Sequence, residues 1–120
     1  MNASPIGDLS ICLLALNADL VLEQKGIEWQ LPLRDFFSGY KQLRLETGEL
    51  EKRIEFIEPA DHVRFNFEKV AHREYLDIAS VNTACGLELQ GQRVKQVTIA
   101  AGGVAAIPLL LRKTASVLVN

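Results

Sequence analysis

The fold is decided by residues 69–108, KVAHREYLDIASVNTACGLELQGQRVKQVTIAAGGVAAIP. Two runs in this stretch alternate in polarity, one from Val81 to Leu89 and the other from Val94 to Ala101, and the Gly91-Gln92 pair between them is typical of a turn. A third run precedes them, with Val63, Phe65, Phe67, Lys69 and Ala71 on one face. The pattern therefore predicts three antiparallel strands.

A helix is predicted to follow these strands. Gly102-Gly103 ends the last strand, and Pro108 suits the first turn of a helix over Leu109–Leu118. Three antiparallel strands with a helix packed on one face make an α+β unit.

The first half of the chain is predicted to hold a short helix and a hairpin. A helix begins with Ser4 or Asp8 as its cap and runs through Asn17, because Ile11, Leu14, Ala15 and Ala18 form an apolar stripe at helical spacing. Three further elements follow: a hairpin of residues 19–24 and 28–31, a short helix in residues 32–39, and a half-buried strand over residues 50–57. A polar join near residue 60 divides the chain into two predicted units, residues 1–60 and 61–120.

Composition excludes several classes of function. The 120 residues are 48% hydrophobic and 23% charged, which is ordinary for a globular protein. A net charge of -2 without a basic stripe argues against a nucleic-acid partner. No apolar run reaches the length of a membrane span, and the expected location is the cytoplasm.

The cysteines and histidines do not suggest a metal site. Cys12 and Cys85 lie in apolar runs, which favours buried free thiols over a disulfide. His62 and His72 have no third ligand nearby, so no zinc or iron–sulfur site is expected within these residues.

Asp8 and Lys69 are the candidate binding residues, each with a simpler alternative. Asp8 stands at a helix start where backbone N–H groups attract anions, but its own charge favours a hydroxyl, an amide or a ribityl oxygen over a phosphate. Spacing alone favours the simpler alternative, a plain helix cap and first turn. Lys69 lies beside apolar residues that a flat aromatic ring could share, or it is a solvated surface residue, and Lys69 and Arg73 near Asp77 could form only a surface ion pair.

No catalytic residue is predicted. The serines lack a nucleophile-elbow motif, and neither tyrosine has a partner implied by spacing. The Gly102-Gly103 pair does not fit a dinucleotide-binding motif and indicates close packing more than a phosphate cradle.

Four separated segments resemble the FAD-binding subunit or domain of the molybdenum hydroxylases, the family of xanthine dehydrogenase. They are NASPIGDLSICLLALNADLVL at 2–22, LPLRDFFSGY at 31–40, KVAHREYLDIASVNTA at 69–84 and IAAGGVAAIPLLLRKT at 99–114. The resemblance implies the end of an FAD-binding subdomain in residues 1–60 and the family's C-terminal domain in residues 61–120.

The resemblance also implies the site. Asn2, Ser4, Ile6 and Asp8 would line the flavin, with Asp8 accepting hydrogen bonds from it. Lys69 matches the family's flavin-contacting lysine, and residues 77–82 match the run that follows it.

The implied function is that of a xanthine dehydrogenase-like oxidoreductase that passes electrons from iron–sulfur clusters through FAD to NAD. Molybdopterin and the [2Fe-2S] clusters would lie on other domains or subunits. The family's Gly-rich pyrophosphate loop is missing from these residues, so the chain is expected to be an internal fragment. The alternative is a cofactor-free module that docks on partner subunits, or forms a homodimer through the apolar surface left by truncation.

Overall fold

The α+β class is confirmed by the computed structural model, which describes residues 1–119. The helices are α1 (Asp8–Ala15), α2 (Leu33–Phe36) and α3 (Arg112–Leu118), and the strands are β1 (Asp19–Gln24), β2 (Ile27–Pro32), β3 (Phe37–Gly39), β4 (Gln42–Leu43), β5 (Leu50–Glu55), β6 (Val63–Val70), β7 (Val81–Gln90), β8 (Arg93–Gly102) and β9 (Leu109–Leu110). None of the helices in residues 1–119 has the length and apolarity needed to cross a membrane.

The predicted hairpin is present as β1 and β2, joined at Lys25 and Gly26. Both turn residues have positive φ, 53° and 82°, which a two-residue hairpin turn of this kind requires. β5 pairs with the other edge of β1, so the sheet order is β2-β1-β5. β5 ends at Glu55, two residues before the predicted end, and Ile57 is exposed.

Strands β3 and β4 form a small sheet of their own. The sheet in the second half of the chain, called the second sheet from here on, has four antiparallel strands in the order β6-β7-β8-β9, where the sequence predicts three. Leu109 and Leu110 pair with Ala101 and Ala100 instead of opening the predicted helix. Helix α3 begins only at Arg112, and none of its residues is buried. The spacing of the apolar residues after Pro108 predicts a helix, but the pairing of Leu109 and Leu110 with the end of β8 prevails over that spacing.

Helix α1, from the first half of the chain, packs against β7, β8 and β9. Its N-cap is Gly7, with no side-chain cap, so the predicted capping by Ser4 or Asp8 is wrong and Asp8 is the first helical residue. The helix ends at Ala15, two residues early, because Asn17 takes the left-handed conformation with φ of 52°.

One core joins both halves of the chain. Apolar residues from the stretch between the start of α1 and the start of β3 pack with two small residues of the second sheet. The members are Ile11, Leu13, Leu14, Ala15, Ala18, Leu20, Leu22, Leu33, Phe36, Phe37, Ala84 and Ala100. Ala84 and Ala100 are directly paired between β7 and β8, and their small side chains leave room for a helix to approach the sheet. The predicted division near residue 60 stays a prediction.

Both cysteines are free thiols, as expected, but they are partly rather than fully buried. Partial burial raises the pKa of Cys85. It also raises the pKa of Cys12, with a smaller contribution from the charge of Asp8 one helical turn earlier. Both thiols are therefore held more firmly in their protonated, unreactive form.

Candidate functional site

The loop before α1 is shaped by its own polar side chains. The Asn2 side-chain oxygen accepts a hydrogen bond from the Ser4 N–H at 3.2 Å, and the Ser4 hydroxyl oxygen accepts one from the Ile6 N–H at 3.3 Å. Two successive local turns of this kind fix the path of residues 2–6 into Gly7. The Asn2 amide N–H groups and the Ser4 hydroxyl hydrogen remain free to donate, since no described residue accepts them.

Asp8 and Lys69 are brought together across 61 positions of sequence. The Lys69 ammonium donates to Asp8 Oδ2 at 2.8 Å and to the main-chain oxygen of Asp77 at 2.7 Å. The two side chains are 30% and 42% exposed, so this ion pair adds little to stability. The pair instead places a carboxylate, which accepts hydrogen bonds, beside an ammonium, which donates them, where the start of α1 meets the end of β6.

Asn82 is the site residue that reasoning from the sequence alone missed. It is 1% exposed, and its amide nitrogen donates to Asp8 Oδ1 at 2.6 Å and to the main-chain oxygen of Ile6 at 3.1 Å. Its signal in the sequence was a polar residue on the same face of β7 as the buried Ala84. That face carries the core, so a polar side chain there requires a specific partner.

Gly102 and Gly103 serve close packing, the interpretation favoured from the sequence. The Gly103 N–H donates to the Pro5 main-chain oxygen at 3.2 Å. A Cβ at Gly102 would lie 2.2 Å from the Asn82 side-chain oxygen. The end of β8 is thus pressed against the loop before α1, and the pair leaves no open cradle for a phosphate.

The segment after β6 is held by the Asp77 carboxylate. It accepts hydrogen bonds from the Arg73 and Ile78 N–H groups, each at 2.9 Å, and from the Arg73 guanidinium at 3.3 Å. These bonds, with the Arg73 N–H first, hold the pKa of Asp77 below its ordinary value. The surface pair expected here is therefore Arg73–Asp77, while Lys69 pairs with Asp8.

Acidification should loosen this segment. Because the folded-state pKa of Asp77 is lowered, its contribution is complete above the ordinary aspartate pKa and is lost as the pH falls through the lowered value. We expect the protection of the Arg73 and Ile78 amide protons from hydrogen exchange to fall in that window, after correction for intrinsic rates. Asp77→Asn, which keeps an acceptor but cannot titrate, should remove this pH dependence; an unchanged dependence would contradict the assignment.

A cavity of about 520 Å³ opens beside Lys69 and is lined by residues 69–74, Leu76 and Asp77. Its volume is in the range of small-molecule sites. Leu76, which lines this cavity, is 99% exposed, and Tyr75 and Ile78 in the same segment are also largely exposed. An amphipathic flat ring, with donors and acceptors on its edge, matches this combination of surfaces.

Residues 1–119 contain no group of three His, Cys, Asp or Glu side chains arranged to hold a metal ion. Of the predicted site residues only Lys69 lines this cavity, and a series of hydrogen bonds that includes Asn82 connects Lys69 to Asp8, Ile6, Ser4 and Asn2. Their roles toward a ligand stay predictions.

Two family models match the chain. Residues 1–56 match the FAD binding domain in molybdopterin dehydrogenase, and residues 67–120 match the CO dehydrogenase flavoprotein C-terminal domain. Only residues 57–66 lie outside both matches, and the two domains occur in the order expected from the resemblance.

Similar proteins include complete enzymes and single subunits. Xanthine dehydrogenase 1 of Arabidopsis thaliana is 36% identical over 126 residues, which cover 99% of this chain and 9% of that protein. The glyceraldehyde dehydrogenase medium chain of Sulfolobus acidocaldarius is 31% identical over 103 residues, which cover 86% of this chain and 36% of that subunit. The chain thus spans between about a tenth and about a third of these relatives.

The fold agrees with these matches. The structure of reconstituted CO dehydrogenase from Oligotropha carboxidovorans superposes with a TM-score of 0.91 at 25% identity, covering 98% of this chain and 41% of that one. The sequence matches, their order and the superposition all agree, and the chain belongs to the FAD-binding flavoprotein family of the molybdenum hydroxylases.

Proposed function

We propose that this chain supplies one wall of an FAD site in a xanthine dehydrogenase-like oxidoreductase. The observation that carries the proposal is the Asp8–Lys69 pair, which joins the loop before α1 to the end of β6 beside an open cavity. Asp8 would accept hydrogen bonds from the cofactor, and Lys69 would contact the flavin ring. Asn2, Ser4 and Ile6 would line the same wall.

The donor set fits the flavin and ribityl part of FAD better than its pyrophosphate. A pyrophosphate needs converging N–H donors or cations, but the first residue of α1 is an acid and Lys69 is already held by it. The edge of a flavin ring carries carbonyl and N–H groups, for which one carboxylate, one ammonium and the free Ser4 hydroxyl are suitable partners. The exposed apolar side chains of Leu76 and Ile78 would cover ring surface.

When bound, FAD supplies hydride and single-electron chemistry, and the residues of this chain bind and orient it. We propose that electrons reach the flavin from [2Fe-2S] clusters and a molybdopterin centre on other domains or subunits, and leave to NAD. The whole enzyme would act in the cytoplasm. Homodimer formation belongs to the alternative function, a docking module without a cofactor.

The test is a titration of the purified chain with FAD, followed by flavin fluorescence and by calorimetry. We expect saturable binding in the micromolar range, about -8 kcal/mol at 1 μM. Asp8→Ala and Lys69→Ala should each weaken it about tenfold or more, since each removes one charged hydrogen-bond partner.

Two matched controls accompany these variants. Asp61→Ala and Lys25→Ala remove the same charges from exposed turns outside the site and should leave the affinity unchanged. Absence of saturable binding by a chain that is folded by circular dichroism would contradict the proposal. Equal losses in the site variants and the controls would contradict the assigned residues.

The alternative function is a docking module without a cofactor. It is favoured by the exposure of Tyr75, Leu76 and Ile78, large apolar side chains that a partner surface would cover as well as a flavin would. If the module forms a homodimer through them, sedimentation should show a concentration-dependent dimer that Leu76→Asp abolishes. The FAD proposal predicts instead that FAD protects this segment in a monomeric chain.

A further inference from the structure

We propose that Asn82 is the positioning residue of this site, a proposal that rests on the proposed FAD function. Asn82 is buried in β7 and does not itself reach the cavity lining. It joins both parts of the loop before α1 that the site uses, the Ile6 main chain and the Asp8 side chain. Through these two bonds it would fix the direction in which Asp8 presents its carboxylate.

The orientation of the Asn82 amide is dictated by its neighbours. The Ile6 main-chain oxygen and the Asp8 carboxylate oxygen are both acceptors, at 3.1 Å and 2.6 Å from the same atom. Only the amide nitrogen can serve both, so the opposite rotamer would place oxygen against oxygen. The site therefore requires two donors at this position, a requirement that aspartate or leucine cannot meet.

The side-chain oxygen of Asn82 indicates that this arrangement lowers the stability of the folded chain. Asn82 Oδ1 is buried and accepts no hydrogen bond from any residue described. A buried acceptor without a partner is destabilising, and such exceptions in a native structure call for a reason. The geometry provides such a reason: with the oxygen left unpaired, the amide nitrogen can donate both of its hydrogen bonds to the loop before α1.

Asn82 also completes the coordination of Asp8. One carboxylate oxygen accepts a hydrogen bond from Asn82 and the other accepts one from Lys69, so both oxygens of Asp8 are held in place. Without the amide, Asp8 could rotate about its side-chain bonds, and Lys69 would lose a fixed partner. The consequence would reach the cofactor through Asp8 and Lys69, although Asn82 does not touch it.

The first experiment compares FAD affinity in Asn82→Leu and Asn82→Asp. Leucine has a similar volume and removes the donors, and we expect a loss of about tenfold. Aspartate has nearly the same shape but sets a second carboxylate against Asp8 and the Ile6 oxygen, so the loss should be about a hundredfold or more. Asn66→Ala, which removes an exposed asparagine bonded only to Glu68, is the matched control.

Two further variants separate positioning from simple stability. In the Asp8→Ala background, Asn82→Leu should weaken FAD binding by a smaller factor than it does in the native chain, because the part of its effect that passes through Asp8 is already lost and only the bond to the Ile6 main chain remains. Gly102→Ala, whose new Cβ would displace the Asn82 oxygen and would also lie 3.0 Å from the Pro5 main-chain oxygen, should likewise weaken FAD binding without altering any polar group. Additive losses in the double variant, or wild-type affinity in a folded Asn82→Leu protein, would overturn the proposal.

A measurement without FAD makes the outcome independent of the proposed function. The rate at which an amine-reactive acetylating reagent modifies Lys69 is measured by mass spectrometry, with Lys25 in the β1–β2 turn as the internal reference. In the native chain Lys69 should react more slowly than Lys25, and Asn82→Leu should raise the Lys69 rate severalfold while leaving Lys25 unchanged. If the native chain does not bind FAD but this change occurs, the FAD proposal fails and positioning by Asn82 stands; an unchanged Lys69 rate overturns the positioning.

Discussion

Replacing Phe36 with alanine should lower the free energy of unfolding by about 3–5 kcal/mol, the typical cost of deleting a buried phenyl ring. Phe36 is fully buried and ends the four-residue helix α2. It meets the ring of Phe37 edge to face, with centroids 5.8 Å apart. Because α2 is too short to be stable by itself, its two buried side chains, Leu33 and Phe36, fix it in the core. Urea denaturation followed by circular dichroism measures the loss.

Phe56→Ala is the matched control for this substitution. Phe56 lies just beyond β5 and is 50% exposed, so the same change there should cost much less. Comparable shifts of the urea midpoint in the two variants would contradict the larger contribution assigned to the buried ring of Phe36. A change of slope without a change of midpoint would instead indicate a more compact or more expanded unfolded state.

Gly103→Ala should lower the free energy of unfolding by about 2–4 kcal/mol, since it combines backbone strain with a clash. Gly103 has φ of +82°, which an L-residue rarely adopts. Its added Cβ would lie 2.5 Å from the Ser80 main-chain oxygen and 3.0 Å from Ile6. Neither the backbone oxygen nor the loop can move without disturbing the contact of the end of β8 with the loop before α1.

The control for Gly103 is another glycine with positive φ. Gly91→Ala in the β7–β8 turn carries a similar conformational strain at φ of +62° but meets no atom within 4 Å. Thermal denaturation should therefore show a smaller shift for Gly91→Ala, and the difference between the two variants measures the steric part. If the two shifts are equal, backbone strain alone accounts for the effect and the close packing carries none of it.

Local patterns were sufficient to predict most of the fold. The hairpin at Lys25-Gly26 and the long strands β7 and β8 follow from alternation and turn residues, which act over a few positions. The fourth strand could not be found in this way, because Leu109 and Leu110 are strand residues only through their pairing with Ala100 and Ala101. Helix α1 likewise packs against the second sheet in addition to the C-terminal helix α3, which lies on β8, and this contact between distant segments could not be read from local patterns.

The candidate site divides in the same manner. The chemistry of Asp8 and of Lys69 and the residues around each predict a binding role for both. Their separation in sequence does not show that the two side chains meet. The role of Asn82 could not be predicted, because it depends on two acceptors, Ile6 and Asp8, that lie 76 and 74 positions away in the sequence. An isolated asparagine in a strand does not indicate such distant partners. Sequence reasoning thus found the exposed charged residues and missed the buried amide that connects them.

The placement of α1 has a consequence for how the chain melts. This helix belongs to the first predicted unit, yet its apolar face packs on strands of the second, and its first residue is bound by Lys69 and Asn82. Neither unit can lose its structure while the other keeps a complete core, so heating should produce a single cooperative transition. A ligand that binds Asp8 would then raise the melting temperature of both sheets together. Calorimetry of the whole molecule would therefore detect a contact made by a single carboxylate.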